Sequence, residues 1–259
     1  MVKSKIGKGP LLVLTLLLFF VYVLYGKNLQ FILPFVRSIM YATNGLISPV
    51  LLSNLFGFVV IVGVCLLGFG CLSASSLGFI WGKLPLAAII IAGTWIAGQI
   101  VQATASLIFA HRLVAATGNA HSLSYFIAIM FGVAMLEESI FRGYLIHTLL
   151  PYLRNSIVVA VLCSGIIFGV MHIFVNIAEG RPIMVYVFQI LAGILFGWLY
   201  IRTENLWLCI GFHSFIDETA ILWTSPIPYW LVPVVSIILC GWFGPIFHQQ
   251  QEKQIIPNV

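Results

Sequence analysis

The chain has 259 residues, 61% of them hydrophobic and 7% charged, and a mean hydropathy of +1.12. Soluble domains carry roughly 25% charged residues, so this composition excludes a soluble globular protein and specifies an integral membrane protein. The formal net charge of +5 comes from basic residues that mostly flank apolar segments, which points to membrane lipid and excludes a nucleic-acid partner.

Spans of about 20 apolar residues are the unit to expect. The first covers residues 10–26. It follows Lys3, Lys5 and Lys8 and has no small-x-small cleavage site after it, so it reads as a retained signal anchor. The segment FILPFVRSIMYA, 31–42, is short and carries Pro34 and Arg37, and reads as interfacial. Further spans are predicted at 46–72, 84–110, 122–150, 155–175, 182–202, 205–223 and 226–247. The expected fold is an all-α, polytopic transmembrane helix bundle of about eight spans, followed by a polar tail, 248–259. Residues 1–121 carry no catalytic motif, 122–222 hold the motifs described below, and 223–259 supply the last span and the tail.

Eight spans put both termini on one side. Lys3, Lys5, Lys8, Lys83, Arg154, Arg202 and Lys253 then share that side, against Lys27, Arg37, Arg112 and Arg181, so both termini are predicted to be cytoplasmic in a cell membrane. Trp207, Trp223, Trp230 and Trp242 lie near span ends and suit an interfacial belt. The five cysteines sit in or beside apolar stretches without a CxxC and read as small buried residues. GIIFG at 165–169 and GILFG at 193–197 each contain GxxxG, which predicts two closely packed helices.

Against this background stands MLEESIFRGYL, 135–145. An ionised group at the centre of a span costs about 2.5–3.5 kcal/mol, so Glu137, Glu138 and Arg142 require a reason. At 100° per residue, Glu138 and Arg142 share a face and form a neutralising pair. Glu137 points elsewhere, beside Phe141 and Tyr144. His172 shares the glycine-rich face of its span, and His213 and Asp217 are i,i+4 neighbours. Three helices can thus bring Glu137, His172, His213 and Asp217 to one polar pocket. A carboxylate and a histidine can activate water, and further donors can hold an oxyanion. Two histidines with a carboxylate (Glu137, His172, His213) also form a normal ligand set for a divalent metal such as zinc. Either chemistry is hydrolysis. Glu218 lies on a different face from Asp217 and reads as structural, as does His147. His111, His121 and His248 receive no role. Asn176, on the face of His172, is a further candidate for the pocket.

These residues carry a resemblance. EESIFR fits EExxxR, FGVMH fits FxxxH and HSFID fits HxxxN/D. In this order, on successive apolar segments over about residues 122–222, they resemble the CAAX protease and bacteriocin-processing family (CPBP, or Abi), which includes the type II CAAX prenyl endopeptidases. The resemblance implies an α-helical intramembrane endopeptidase, often described as metal-dependent, that acts on a membrane-associated peptide or protein. Glu137 and His172 would activate the attacking water, His213 and residue 217 would hold the oxyanion, and Glu138 and Arg142 would support the site. One departure matters: prenyl-protease members have Asn where this chain has Asp217. Ionised Asp cannot donate a hydrogen bond, so Asp217 must be protonated, orient His213 or bind a metal. Two other function classes compete. One is a catalytically silent scaffold that regulates a membrane partner. The other is a proton-coupled transporter using the buried acids as a relay.

Overall fold

An apolar run in hydrocarbon satisfies its backbone polar groups by coiling into a helix, and the chain does so almost throughout. The computed structural model describes residues 7–25, 38–39, 41–43, 47, 49–116, 125–218 and 221–255. Among them there is no strand, only an isolated bridge between Ala115 and Trp223. Most of the expected interfacial segment 31–42 lies outside the described residues, as do Lys3, Lys5, Lys27 and His121.

Helix α1 is Lys8–Tyr25. Helix α2 runs from Pro49–Phe58 into a π-helical stretch, Val59–Phe69. Helix α3 is Leu84–Ala110, and α4 occupies residues 125–149. Helix α5, Ile157–Met171, breaks at His172 before the short α6, Ile173–Ala178. Then follow α7, Ile183–Thr203, α8, Leu206–Asp217, and α9, Leu231–Ile255.

Five stretches among the described residues are long and apolar enough to cross a membrane: Lys8–Tyr25, Leu51–Phe69, Trp81–Ala110, Ile157–Ala178 and Ile183–Thr203. The all-α bundle is as expected, and the difference lies in the seventh predicted segment, 205–223, which is shorter. Helix α8 has 12 residues and stops at Asp217, a length of about 18 Å at 1.5 Å per residue. The predicted span to residue 223 fails because Glu218 is extended, with φ −154°. The apolar residues beyond it belong to a loop. That loop is held by α3: Gln102 Nε2 donates to Ile227 O at 3.0 Å, Ser225 donates to Gln102 Oε1 at 2.7 Å, and Leu222 N donates to Gln99 Oε1 at 2.8 Å.

Helix α4 sits at the centre, in contact with α2, α5, α7 and α8. Its winding is mixed. The α-helical turn Met135–Glu138 is flanked by π-helical Ile129–Ala134 and Ser139–Leu145. Wider π turns of this kind are rare and frequent at functional sites. Phe141 O accepts a hydrogen bond from Ser164 Oγ of α5 at 3.0 Å, which ties the two helices together.

The predicted GxxxG packing joins α5 to α7. A Cβ placed on Gly165 would lie 2.5 Å from Ile194 Cγ1 and 2.7 Å from its backbone N, and one on Gly193 would lie 2.8 Å from Gly165 Cα. Missing side chains let the backbones touch, as they do in small-xxx-small pairs. Overpacking of this kind costs about 1–3 kcal/mol, so Gly165→Val is expected to lower the thermal midpoint of the purified protein. An unchanged midpoint in the same detergent would show that the two backbones do not meet there.

The α7–α8 junction aims α8 back through the bundle. Glu204 adopts φ 46° at the end of α7, and Lys83 Nζ donates to Thr203 O at 3.2 Å and Glu204 O at 3.0 Å. A cation at a helix C-terminus is favourable. Asn205 then caps α8, its Oδ1 accepting from Trp207 N at 3.1 Å.

Candidate functional site

Three helices deliver the ionisable side chains. Glu137, Glu138 and Arg142 come from α4, His172 from the break after α5, and His213 and Asp217 from the last turns of α8. Arg142 Nη1 donates to Glu138 Oε1 at 2.8 Å, with both side chains fully buried. Arg142 Nη2 donates to Gly193 O at 3.1 Å. The guanidinium also stands 4.9 Å from the Phe168 ring centroid and 5.4 Å from that of Phe196, within the range of cation–π attraction. The charge is thus surrounded by an acid, a carbonyl and two rings.

Glu138 does more than neutralise Arg142. Its Oε1 also accepts from His213 Nδ1 at 2.6 Å, a short, charge-assisted contact. That bond fixes the proton on Nδ1 and turns Nε2 away from Glu138. Phe196 stacks on the same imidazole at 5.5 Å and 18°. The other histidine is fixed the same way. His172 Nδ1 faces Phe168 O at 2.8 Å. A carbonyl can only accept, so Nδ1 is the donor. Phe168 packs 4.7 Å from the His172 ring.

Both Nε2 atoms then converge on Glu137. His172 Nε2 is 3.4 Å from Glu137 Oε1, and His213 Nε2 is 3.8 Å from Glu137 Oε2. These exceed the 2.7–3.2 Å of a direct N–H···O bond. With each Nδ1 engaged elsewhere, both Nε2 atoms face one carboxylate across gaps that a water or a shared proton can fill. Asp217 Oδ2 stands 3.4 Å from His213 Nε2, with 40% of its side chain exposed. It therefore marks the open rim of the pocket, while Glu137, at 10%, lies deeper.

All six residues singled out in the sequence thus meet. Glu138, expected only to pair with Arg142, also holds His213. Asn176 does not join them in hydrogen bonding: its Nδ2 donates to Gln189 Oε1 at 2.6 Å and links α6 to α7. His147 contacts the Tyr200 hydroxyl at 3.3 Å, away from the set. Glu218 N donates to Ser214 O at 2.8 Å and closes α8.

Among the described residues, no group of three His, Cys, Asp or Glu side chains is arranged to hold a metal ion. Glu137 offers a different oxygen to each imidazole, and His213 Nε2 is shared with Asp217.

Residues 119–218 match the family model described as type II CAAX prenyl endopeptidase, Rce1-like. The matched stretch contains all six residues of the set. No curated protein and no solved structure gives a significant match.

Proposed function

We propose, for a chain whose residues 119–218 match the Rce1-like model of type II CAAX prenyl endopeptidases, an intramembrane endopeptidase in which Glu137 activates water. The observation that carries this reading is the Glu137 carboxylate standing between two imidazole Nε2 atoms whose Nδ1 atoms are engaged elsewhere.

Water held between Glu137 and His172 gives a proton to Glu137 as its oxygen attacks the scissile carbonyl carbon. The tetrahedral oxyanion needs a donor. His213 supplies it when Nε2 carries a second proton, with Glu138 and Asp217 as counter-charges on either side of the ring. The C–N bond then breaks as Glu137 passes its proton to the leaving nitrogen. One water is consumed, a carboxyl and an amine are formed, and Glu137 is again a carboxylate.

An apolar groove of about 680 Å³ between α3, α4 and α8 runs past Met135, Gly211 and Phe215, beside the turn that bears Glu137. It suits the hydrocarbon anchor of a membrane-associated peptide. The chain is read as multi-pass, with both termini cytoplasmic.

The test uses purified protein in lipid vesicles with farnesylated and unmodified peptides ending in a CAAX sequence. Glu137-dependent cleavage is the expected result. Failure to cut any membrane-associated peptide would leave the scaffold role instead. A chelator is expected to leave the rate unchanged. Loss on chelation with recovery on adding zinc would place a metal at Glu137, His172 and His213.

Asp217 acts here through its charge and its contact with His213. Asparagine keeps the contact and adds a donor, and a neutral hydrogen bond is worth about 1 kcal/mol. Asp217→Asn is therefore expected to keep kcat within about tenfold of wild type. A loss as deep as that of Glu137→Gln would show that Asp217 itself handles the proton.

A further inference from the structure

We infer that Phe19 of α1 is a positioning residue for His172, so that the catalytic unit extends beyond the family-matched segment to the first helix of the chain. This inference rests on the endopeptidase reading above.

Helix α1 touches the bundle along one stripe. Its buried residues are Leu11, Thr15 and Phe19, spaced i, i+4, i+8. The first two pack toward α2 and the residue that follows it. Leu11 Cδ2 would lie 2.8 Å from a Cβ on Gly70, and Thr15 Oγ1 bonds to Leu11 O at 2.8 Å and approaches Cys65 Sγ at 3.6 Å. Phe19 differs. It is completely buried, and its ring lies edge-on to Phe141 at 5.2 Å and to His172 at 6.5 Å. Phe141 in turn stands edge-on to Phe168 at 5.0 Å. Phe168 packs on His172 and supplies the carbonyl that takes its Nδ1 proton.

Rings from α1 and α5 therefore flank one imidazole, and Phe141 of α4 packs behind both of them. The Nδ1 bond fixes one edge of His172 but leaves the ring free to tilt about it. Phe168 restrains that tilt from one ring and Phe19 from another. Nε2 reaches Glu137 at 3.4 Å only while the ring is held. One turn further along α1, the Tyr22 ring lies against Gly57, which also faces Leu136, the residue before Glu137. A Cβ on Gly57 would meet Tyr22 Cε2 at 2.9 Å and Leu136 Cδ2 at 3.2 Å. Helix α1 thus bears on both partners of the Glu137–His172 contact.

A misplacement of about 1 Å in a reacting group can cost about a hundredfold in rate. The experiment compares wild type, Glu137→Gln, Phe19→Met, Phe19→Leu and Leu11→Ala in vesicles, measuring kcat, KM and thermal midpoint for each. Methionine is flexible enough to refill the space but has no ring edge. The expected result is a fall in kcat of about ten- to a hundredfold for both Phe19 variants, with KM held. Leu11→Ala, on the same stripe but away from His172, should lose thermal stability and keep its kcat.

Wild-type kcat in the Phe19 variants, or a kcat loss in Leu11→Ala that tracks its lower midpoint, would overturn the inference. Failure of both Phe19 variants to fold, with Leu11→Ala folded, would also count against it, by making Phe19 a core residue only. Absence of any Glu137-dependent cleavage in wild type would defeat the endopeptidase reading itself. Glu137-dependent cleavage indifferent to Phe19 would defeat this inference alone.

Discussion

Glu137→Gln is expected to lower kcat by about 10²–10⁴-fold, the range for loss of a positioned general base, with the fold preserved. The argument is one of contacts. Glutamine copies the size of glutamate, and the Arg142 guanidinium is neutralised by Glu138 at 2.8 Å, not by Glu137. Nothing that holds α4 in place is removed. What disappears is an atom pair able to take a proton from water between two imidazole Nε2 atoms. Substrate binding should change little, because the groove beside Met135 is untouched. Measured rates in matched vesicles, with the thermal midpoint as a control for folding, check both halves. A variant that cleaves at the wild-type rate would remove Glu137 from the chemistry.

Arg142→Met should act in the opposite way, through stability. Removing one partner of a buried ion pair leaves an uncompensated charge and typically costs about 3–5 kcal/mol. Both Arg142 and Glu138 are fully buried, so the upper part of that range applies. The lost cation–π contacts with Phe168 and Phe196 add to it. The double variant Glu138→Leu, Arg142→Met is then expected to recover much of the midpoint, because replacing a whole buried pair by apolar groups is often neutral or stabilising. It should recover no activity, since His213 Nδ1 loses its acceptor. Recovery of both would reduce the pair to a packing element. The pair is not optimised for stability as it stands: Glu138 Oε2 and Arg142 Nε have no hydrogen-bond partner among the described residues. Its geometry fits a role in aiming His213.

Much of this was legible in the sequence because polar residues are rare there. Spacing alone separated Glu138, facing Arg142, from Glu137, and it paired His213 with Asp217 on α8. The glycine pattern announced the α5–α7 contact. Other features had no local signal. Nothing in EESIFRGYL reveals that Glu138 reaches His213, because that bond joins residues 75 positions apart. The end of α8 was missed because residues 221–223, Ile-Leu-Trp, continue an apolar run. What terminates the helix is Glu218, together with the distant Gln99 and Gln102. Helix α1 offered only hydrophobic letters, so Phe19 could not be told from Leu17, although one is fully buried and the other faces outward. The π turns around Glu137 are likewise invisible to a periodicity of 3.6.

The brevity of α8 bears on how a hydrolase can work inside a barrier to its own co-reactant. A rod of about 18 Å falls well short of a hydrocarbon slab about 30 Å thick. The half-open carboxylate of Asp217 terminates it. On the endopeptidase reading, that carboxylate would offer water a polar entry one helical turn from His213, and exchange there would rehydrate the pocket between turnovers.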